Sequence, residues 1–128
     1  MALLLDTHAL LWWLAGDPQL SGSAADAIQS EEDAVYVSAA SAWEIATKYR
    51  LGKLSSVAAI KGQIASVLDE NGFTPLDVTL AQGQHAGLLE GPHKDPWDRM
   101  LIAQALMEDL TLISNETLFD RYGVKRLW

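Results

Sequence analysis

Asp95-Pro96-Trp97-Asp98-Arg99-Met100-Leu101-Ile102-Ala103-Gln104-Ala105 is the stretch around which the rest of the chain can be ordered. It opens as a helix, with Asp95 as N-cap, Pro96 at the first helical position and Asp98 in the first turn. From Met100 onward the helix is apolar on nearly every side, the pattern of a helix packed inside a domain rather than laid on it. A buried helix that begins with two carboxylates has two readings. The acids cap the helix and favour its dipole, or Asp98 belongs to a set of acids that holds a divalent cation.

Outward from this helix, short apolar runs alternate with helical patterns. Ala2 to Leu5 is a continuous apolar run that stops at Asp6, as in a central parallel strand covered on both faces. Further strands are expected at Ala34 to Ser38, Phe73 to Leu76, Leu110 to Ser114 and Val124 to Leu127. Helices are expected over Thr7 to Ala15, Ser21 to Glu31, Ala39 to Arg50, Ser56 to Asn71 and Leu80 to Leu89, with the Asp95 helix running to about Glu108. Thr117 to Tyr122 reads as a helical turn. The expected fold class is α/β: a three-layer sandwich whose central, mostly parallel sheet of four or five strands is flanked by helices.

The 128 residues suit a single domain, 1–128, and 49% of them are hydrophobic, enough for a sizeable core. There is no cysteine, which excludes disulfides and thiolate metal sites. The start lacks the features of a signal peptide and no run suits a membrane span, so a cytoplasmic protein without membrane contact is expected. The formal charge of −8 does not draw in nucleic acid through its overall field, and any such substrate needs local cations to offset it.

In an open parallel sheet, sites form where strand ends and helix starts converge. The first strand delivers Asp6 and Thr7 to that rim. The second delivers Ser38 and a helix bearing Glu44, and the fourth delivers Ser114-Asn115-Glu116. With Asp98, this gives four acids at one end of the sheet: Asp6, Glu44, Asp98 and Glu116. Singly, Asp6 and Glu116 read as helix-cap or first-turn acids, and Glu44 as either a solvated or an inward-facing position. Together they repel one another unless a cation joins them or one stays protonated. Oxygen ligands without Cys or a His cluster suit Mg²⁺ or Mn²⁺. The chemistry implied is hydrolysis of a phosphodiester or phosphate ester.

These residues carry a resemblance. Leu4-Leu5-Asp6-Thr7-His8, Ser41-Ala42-Trp43-Glu44-Ile45, His93 through Ala105, and Leu112-Ile113-Ser114-Asn115-Glu116-Thr117-Leu118-Phe119 with Tyr122-Gly123-Val124 resemble, in order and over the whole length, the PIN domain. Within it they look like the VapC-type ribonuclease toxins of type II toxin–antitoxin pairs. The resemblance implies a metal-dependent endoribonuclease hydrolysing RNA through a metal-activated water. Its first three acids correspond to Asp6, Glu44 and Asp98. The fourth is usually Asp, and here is Glu116, with Asp120 as a possible substitute. Asp6 and Asp98 are expected as direct metal ligands, Glu44 as direct or water-mediated, and Glu116 as holding a second ion or acting through water.

Around them, Thr7 and Ser114 are supporting residues that bond the carboxylates or a phosphate oxygen. Arg99 is read as a phosphate contact or as the partner of Glu44 or Asp95. His93 and Lys94 are read as RNA contacts or plain loop residues. The resemblance further implies a cognate antitoxin, whose basic residue an acidic site would attract, and a homodimer. Trp12 and Trp13, adjacent on one helix, cannot both face the core, and one is expected at an interface.

Three other readings compete. A haloacid dehalogenase-class phosphatase wants an acid two residues after the first, where this chain has His8. A receiver domain needs paired acids after the first strand and an acceptor Asp mid-chain, and both are missing. A catalytically silent PIN-like binding module remains the third.

Overall fold

β1 (Leu3–Leu5) is three leucines in a row, all fully buried, and a strand with no polar side requires cover on both faces. The computed structural model, which describes residues 1–30, 32–53 and 63–128, supplies that cover. β1 pairs in parallel with β2 (Val35–Ser38) on one side and β4 (Thr111–Ile113) on the other. β3 (Thr74–Leu76) and β5 (Arg126–Leu127) complete a five-stranded, all-parallel sheet of order β3-β2-β1-β4-β5. The expected α/β sandwich is therefore present, with the higher of the two expected strand counts.

Alternate side chains build the two outer layers. Leu3 and Leu5 join Val35, Val37 and Ile113 on one face, against Leu10 of α1 (Thr7–Ala15), Ile28 of α2 (Gly22–Gln29), Ile45 of α3 (Ala39–Arg50) and Leu68 of α4 (Ile64–Glu70). Leu4 and Leu112 face the other way, onto Leu101, Ile102 and Ala105 of α6 (Pro96–Met107), with Phe119 and Val124 closing the layer. α5 (Leu80–Leu88) packs on α6 and starts with a reciprocal capping box between Thr79 and Gln82. Gln104, the polar residue in the buried stretch of α6, is explained by this packing. Its Nε2 donates to Gln82 Oε1 at 3.1 Å and to the Asp77 carbonyl at 3.2 Å.

The expected helices match the observed ones to within a residue or two, apart from the Ser56 helix. There the described part is α4, and the expected start lies outside the described residues, as does Glu31 at the expected end of α2. The turn Thr117–Tyr122 is a 3₁₀ helix. Trp12 and Trp13 are each half-buried within the chain. Trp12 contacts His8 and Trp128, and Trp13 packs on Phe73 while its Nε1 donates to Asn71 Oδ1 at 3.1 Å. Among the described residues no helix is long and apolar enough to cross a membrane.

Candidate metal centre

Register brings the site together. Leu5 lies opposite Val37 and Ile113, so Asp6, Ser38 and Ser114 leave the sheet side by side at its carboxyl edge. Each then turns the chain by capping. Asp6 Oδ1 accepts from the Ala9 N–H at 2.7 Å, Ser38 Oγ from Ala40 at 3.0 Å, and Ser114 Oγ from Glu116 at 3.0 Å. Asp95 Oδ1 caps α6 by accepting from Asp98 at 3.1 Å, and Glu116 Oε1 accepts from Leu118 at 3.2 Å. Capping and membership of an acid cluster are thus compatible: one carboxylate oxygen serves the helix and the other remains for the cavity.

Asp6, Glu44, Asp98 and Glu116 line one cavity of about 110 Å³. Asp95 adds a fifth carboxylate to its wall and Lys48 a cation. Wider hollows, of about 470, 540 and 250 Å³, lie elsewhere and contain none of the four rim acids, so size alone is a poor guide to the site. Glu44 faces inward and is buried. The Thr7 hydroxyl donates to its Oε1 at 2.6 Å and shares a 3.1 Å bond with the Ser41 hydroxyl, while Lys48 Nζ sits 2.5 Å from Oε2.

The electrostatics follow from crowding of like charge. The Asp98 carboxyl is pushed up to about 7, first by burial and then by Asp95, Glu44, Asp6 and Glu116. Burial also raises Asp6, although hydrogen bonds from Ser114 and the Ala9 N–H, together with His8, pull the other way. His93 Nε2 approaches Asp98 Oδ2 to 3.0 Å, but in a direction that makes it a close contact and not a hydrogen bond.

An oxygen-rich, negatively charged pocket of this size suits a hard divalent cation that keeps several waters. A cation among these acids would offset both the burial and the repulsion that raise the Asp98 carboxyl to about 7. Among the described residues no three acid or imidazole groups are already gathered into a ready-made ligand shell. Glu44 is engaged by Thr7 through Oε1 and by Lys48 through Oε2.

Arg99 is not the partner of Glu44 or Asp95. Its guanidinium donates to the backbone carbonyls of Ala86 at 3.1 Å and His93 at 2.9 Å, and to that of Leu89, clamping the end of α5 and the loop before α6. His93 is buried, with its N–H donating to Tyr122 Oη at 2.9 Å and its ring against Phe119, whereas Lys94 is exposed. Asp120 pairs with Arg126 at 2.8 and 3.0 Å on the surface, which leaves Glu116 as the fourth acid at the cavity. Sequence reading missed Lys48. Its signal is its place one helical turn after Glu44, the i,i+4 spacing of an ion pair.

The fold and this rim of carboxylates define a class. The chain belongs to the PIN domain family, whose profile matches residues 3–125. Proteins of this family are generally nucleases that use divalent metal ions. Among solved structures, a chain of the Rickettsia felis VapBC2 complex bound to a DNA fragment from its promoter is similar to this one, with a TM-score of 0.74 and 16% identity over 99% of this chain and 98% of that one. A chain of FitAB bound to an IR36 DNA fragment has a TM-score of 0.68 and 18% identity over 99% and 94% of the two chains. A chain of FitAcB from Neisseria gonorrhoeae has a TM-score of 0.63 and 23% identity over 100% and 97%. No match was found among curated proteins.

Proposed function

We propose that this protein is a metal-dependent endoribonuclease and the toxin of a toxin–antitoxin pair, acting as a homodimer held in check by a cognate antitoxin. The observation that carries the reading is the meeting of Asp6, Glu44, Asp98 and Glu116 at one cavity on the carboxyl edge of the sheet. The similarity in fold to chains from toxin–antitoxin assemblies supports the assignment of class.

Asp6, Glu44 and Asp98 would hold Mg²⁺ or Mn²⁺, with Glu116 at a second ion or acting through water. Such an ion, when bound, offsets the crowded carboxylates, acidifies a water and counters charge developing on the phosphate. The protein's own part is positioning. Thr7 fixes the Glu44 carboxylate, and Ser114 bonds Asp6. Lys48, once displaced from Glu44, supplies a cation for a phosphate oxygen in a chain whose overall field repels RNA.

The test is cleavage of a mixed RNA pool by purified wild type and Asp98→Asn, with Mg²⁺, with Mn²⁺ and with EDTA. Cleavage that requires metal and is lost in the variant is the expected result. A wild type that neither cleaves nor gains thermal stability on adding metal, once checked free of bound antitoxin, returns the chain to the binding-only reading.

A further inference from the structure

We propose that Trp43 and Trp97 form a stacking subsite for one nucleobase of a single-stranded RNA, just outside the carboxylate cavity. The proposal rests on the nuclease reading and specifies how the substrate is gripped. Trp43 immediately precedes Glu44, and Trp97 immediately precedes Asp98. α3 and α6 therefore each send an acid into the cavity and an indole alongside it. The two rings meet edge to face, 5.5 Å between centroids and 77° apart. That contact uses only part of Trp43, which is 63% exposed and is the one tryptophan among the exposed large apolar residues described.

Lining separates the roles of cavity and indoles. The cavity wall carries five carboxylates and Lys48, surroundings that suit a phosphate group with its counterion. Neither indole is part of that wall, so the two rings offer an apolar face beside it for the base attached to such a phosphate. Lys48 marks the boundary: its Nζ contacts Glu44 on the cavity side and lies 5.7 Å from the Trp97 ring centroid on the other.

Charge makes such a grip necessary. With a net charge of −8 the surface as a whole gains nothing from the phosphate backbone at long range, so contacts beyond the local cations of the cavity must add affinity. Base–aromatic stacking is such a contact, worth roughly five- to 150-fold per base, and it is open only to bases not already stacked in a duplex.

The test measures binding of a short fluorescent oligoribonucleotide to the Asp98→Asn protein in Mg²⁺, alone and combined with Trp43→Ala or Trp43→Phe. Wild-type and Trp43→Ala cleavage and size-exclusion profiles are followed in parallel. Trp43 is exposed, so its variants are expected to fold, which circular dichroism checks. The expected result is a Kd at least fivefold weaker for Trp43→Ala, mostly restored in Trp43→Phe, with no such difference for a duplex of the same sequence. Wild-type cleavage with unchanged binding and cleavage in Trp43→Ala sinks the subsite and leaves the nuclease standing. A dimer lost in Trp43→Ala with RNA affinity intact assigns the indole to a protein interface and also overturns the proposal. Absence of both cleavage and RNA binding in the starting proteins removes the nuclease reading and the subsite with it.

Discussion

The hydroxyl of Thr7 donates to Oε1 of Glu44 across 2.6 Å, joining the first turn of α1 to the middle of α3. Both groups are buried, so the bond fixes which way the Glu44 carboxylate points before any ion arrives. Thr7→Val keeps the shape and removes the donor. Its expected effect is a ten- to hundredfold loss of Mn²⁺ affinity by titration calorimetry, with Thr7→Ser close to wild type. Equal affinity in Thr7→Val would show that Glu44 is oriented by Lys48 alone.

Asp98 makes metal-free stability depend on pH. Its folded pKa of about 7 lies above its ordinary value of 3.8, so the native state holds this proton more tightly than the unfolded chain. Its contribution is complete below about pH 4 and is lost as pH rises through about 7. In EDTA, urea midpoints should therefore fall across that window. Asp98→Asn, which mimics the neutral form, should flatten the fall and be more stable than wild type at pH 8 by about 1–2 kcal/mol, with little difference at pH 4. Saturating Mg²⁺ should reverse the order, because only the wild type keeps the full set of acids.

Lys48 offsets the buried charge of Glu44. Lys48→Met retains the stem and removes the ammonium, leaving a carboxylate with Thr7 as its remaining bonded partner. Breaking a fully buried pair costs about 3–5 kcal/mol, and a lysine side chain that stays 27% exposed reduces that to about 1–3. The loss should appear in EDTA and shrink on adding Mg²⁺, measured as the shift in Tm with and without the ion. A deficit indifferent to metal would place Lys48 outside the electrostatics of the cavity.

Arg99 holds backbone. Its carbonyl partners on Ala86, Leu89 and His93 need a planar fork, which a lysine cannot reproduce. Arg99→Lys should therefore lower unfolding stability by about 2–4 kcal/mol. At a temperature where the variant is still folded, its KM for RNA should be unchanged; a raised KM with normal stability would restore the phosphate-contact reading.

The sheet was legible because a fully apolar triplet such as Leu3-Leu4-Leu5 has few places to go, and because each strand ends at a polar group that starts a helix. The same logic placed Asp6, Glu44, Asp98 and Glu116 at one rim, since three of them follow closely on a strand end and the fourth opens the buried helix α6. What stayed hidden depends on loops. Arg99 sits among acids in the sequence, and ion pairing with them is the natural inference; its partners are carbonyls up to thirteen residues away, delivered by the packing of α5 on α6. His93 is likewise turned inward by Tyr122, a contact spanning 29 residues that no spacing rule reveals. The role of Asp120 was settled by its neighbour across the turn, Arg126, which occupies both of its oxygens.

The central place of β1 has a consequence for how the molecule comes into being. The first strand made waits long to be enclosed, since one neighbour is β2 and the other, β4, begins only at Thr111. Asp6 leaves the ribosome well before Glu116 and the strand that seats Ser114 beside it, which follow about a hundred residues later. Whatever chemistry the rim performs, a growing chain cannot perform it. The rim is withheld by topology until synthesis has passed Glu116.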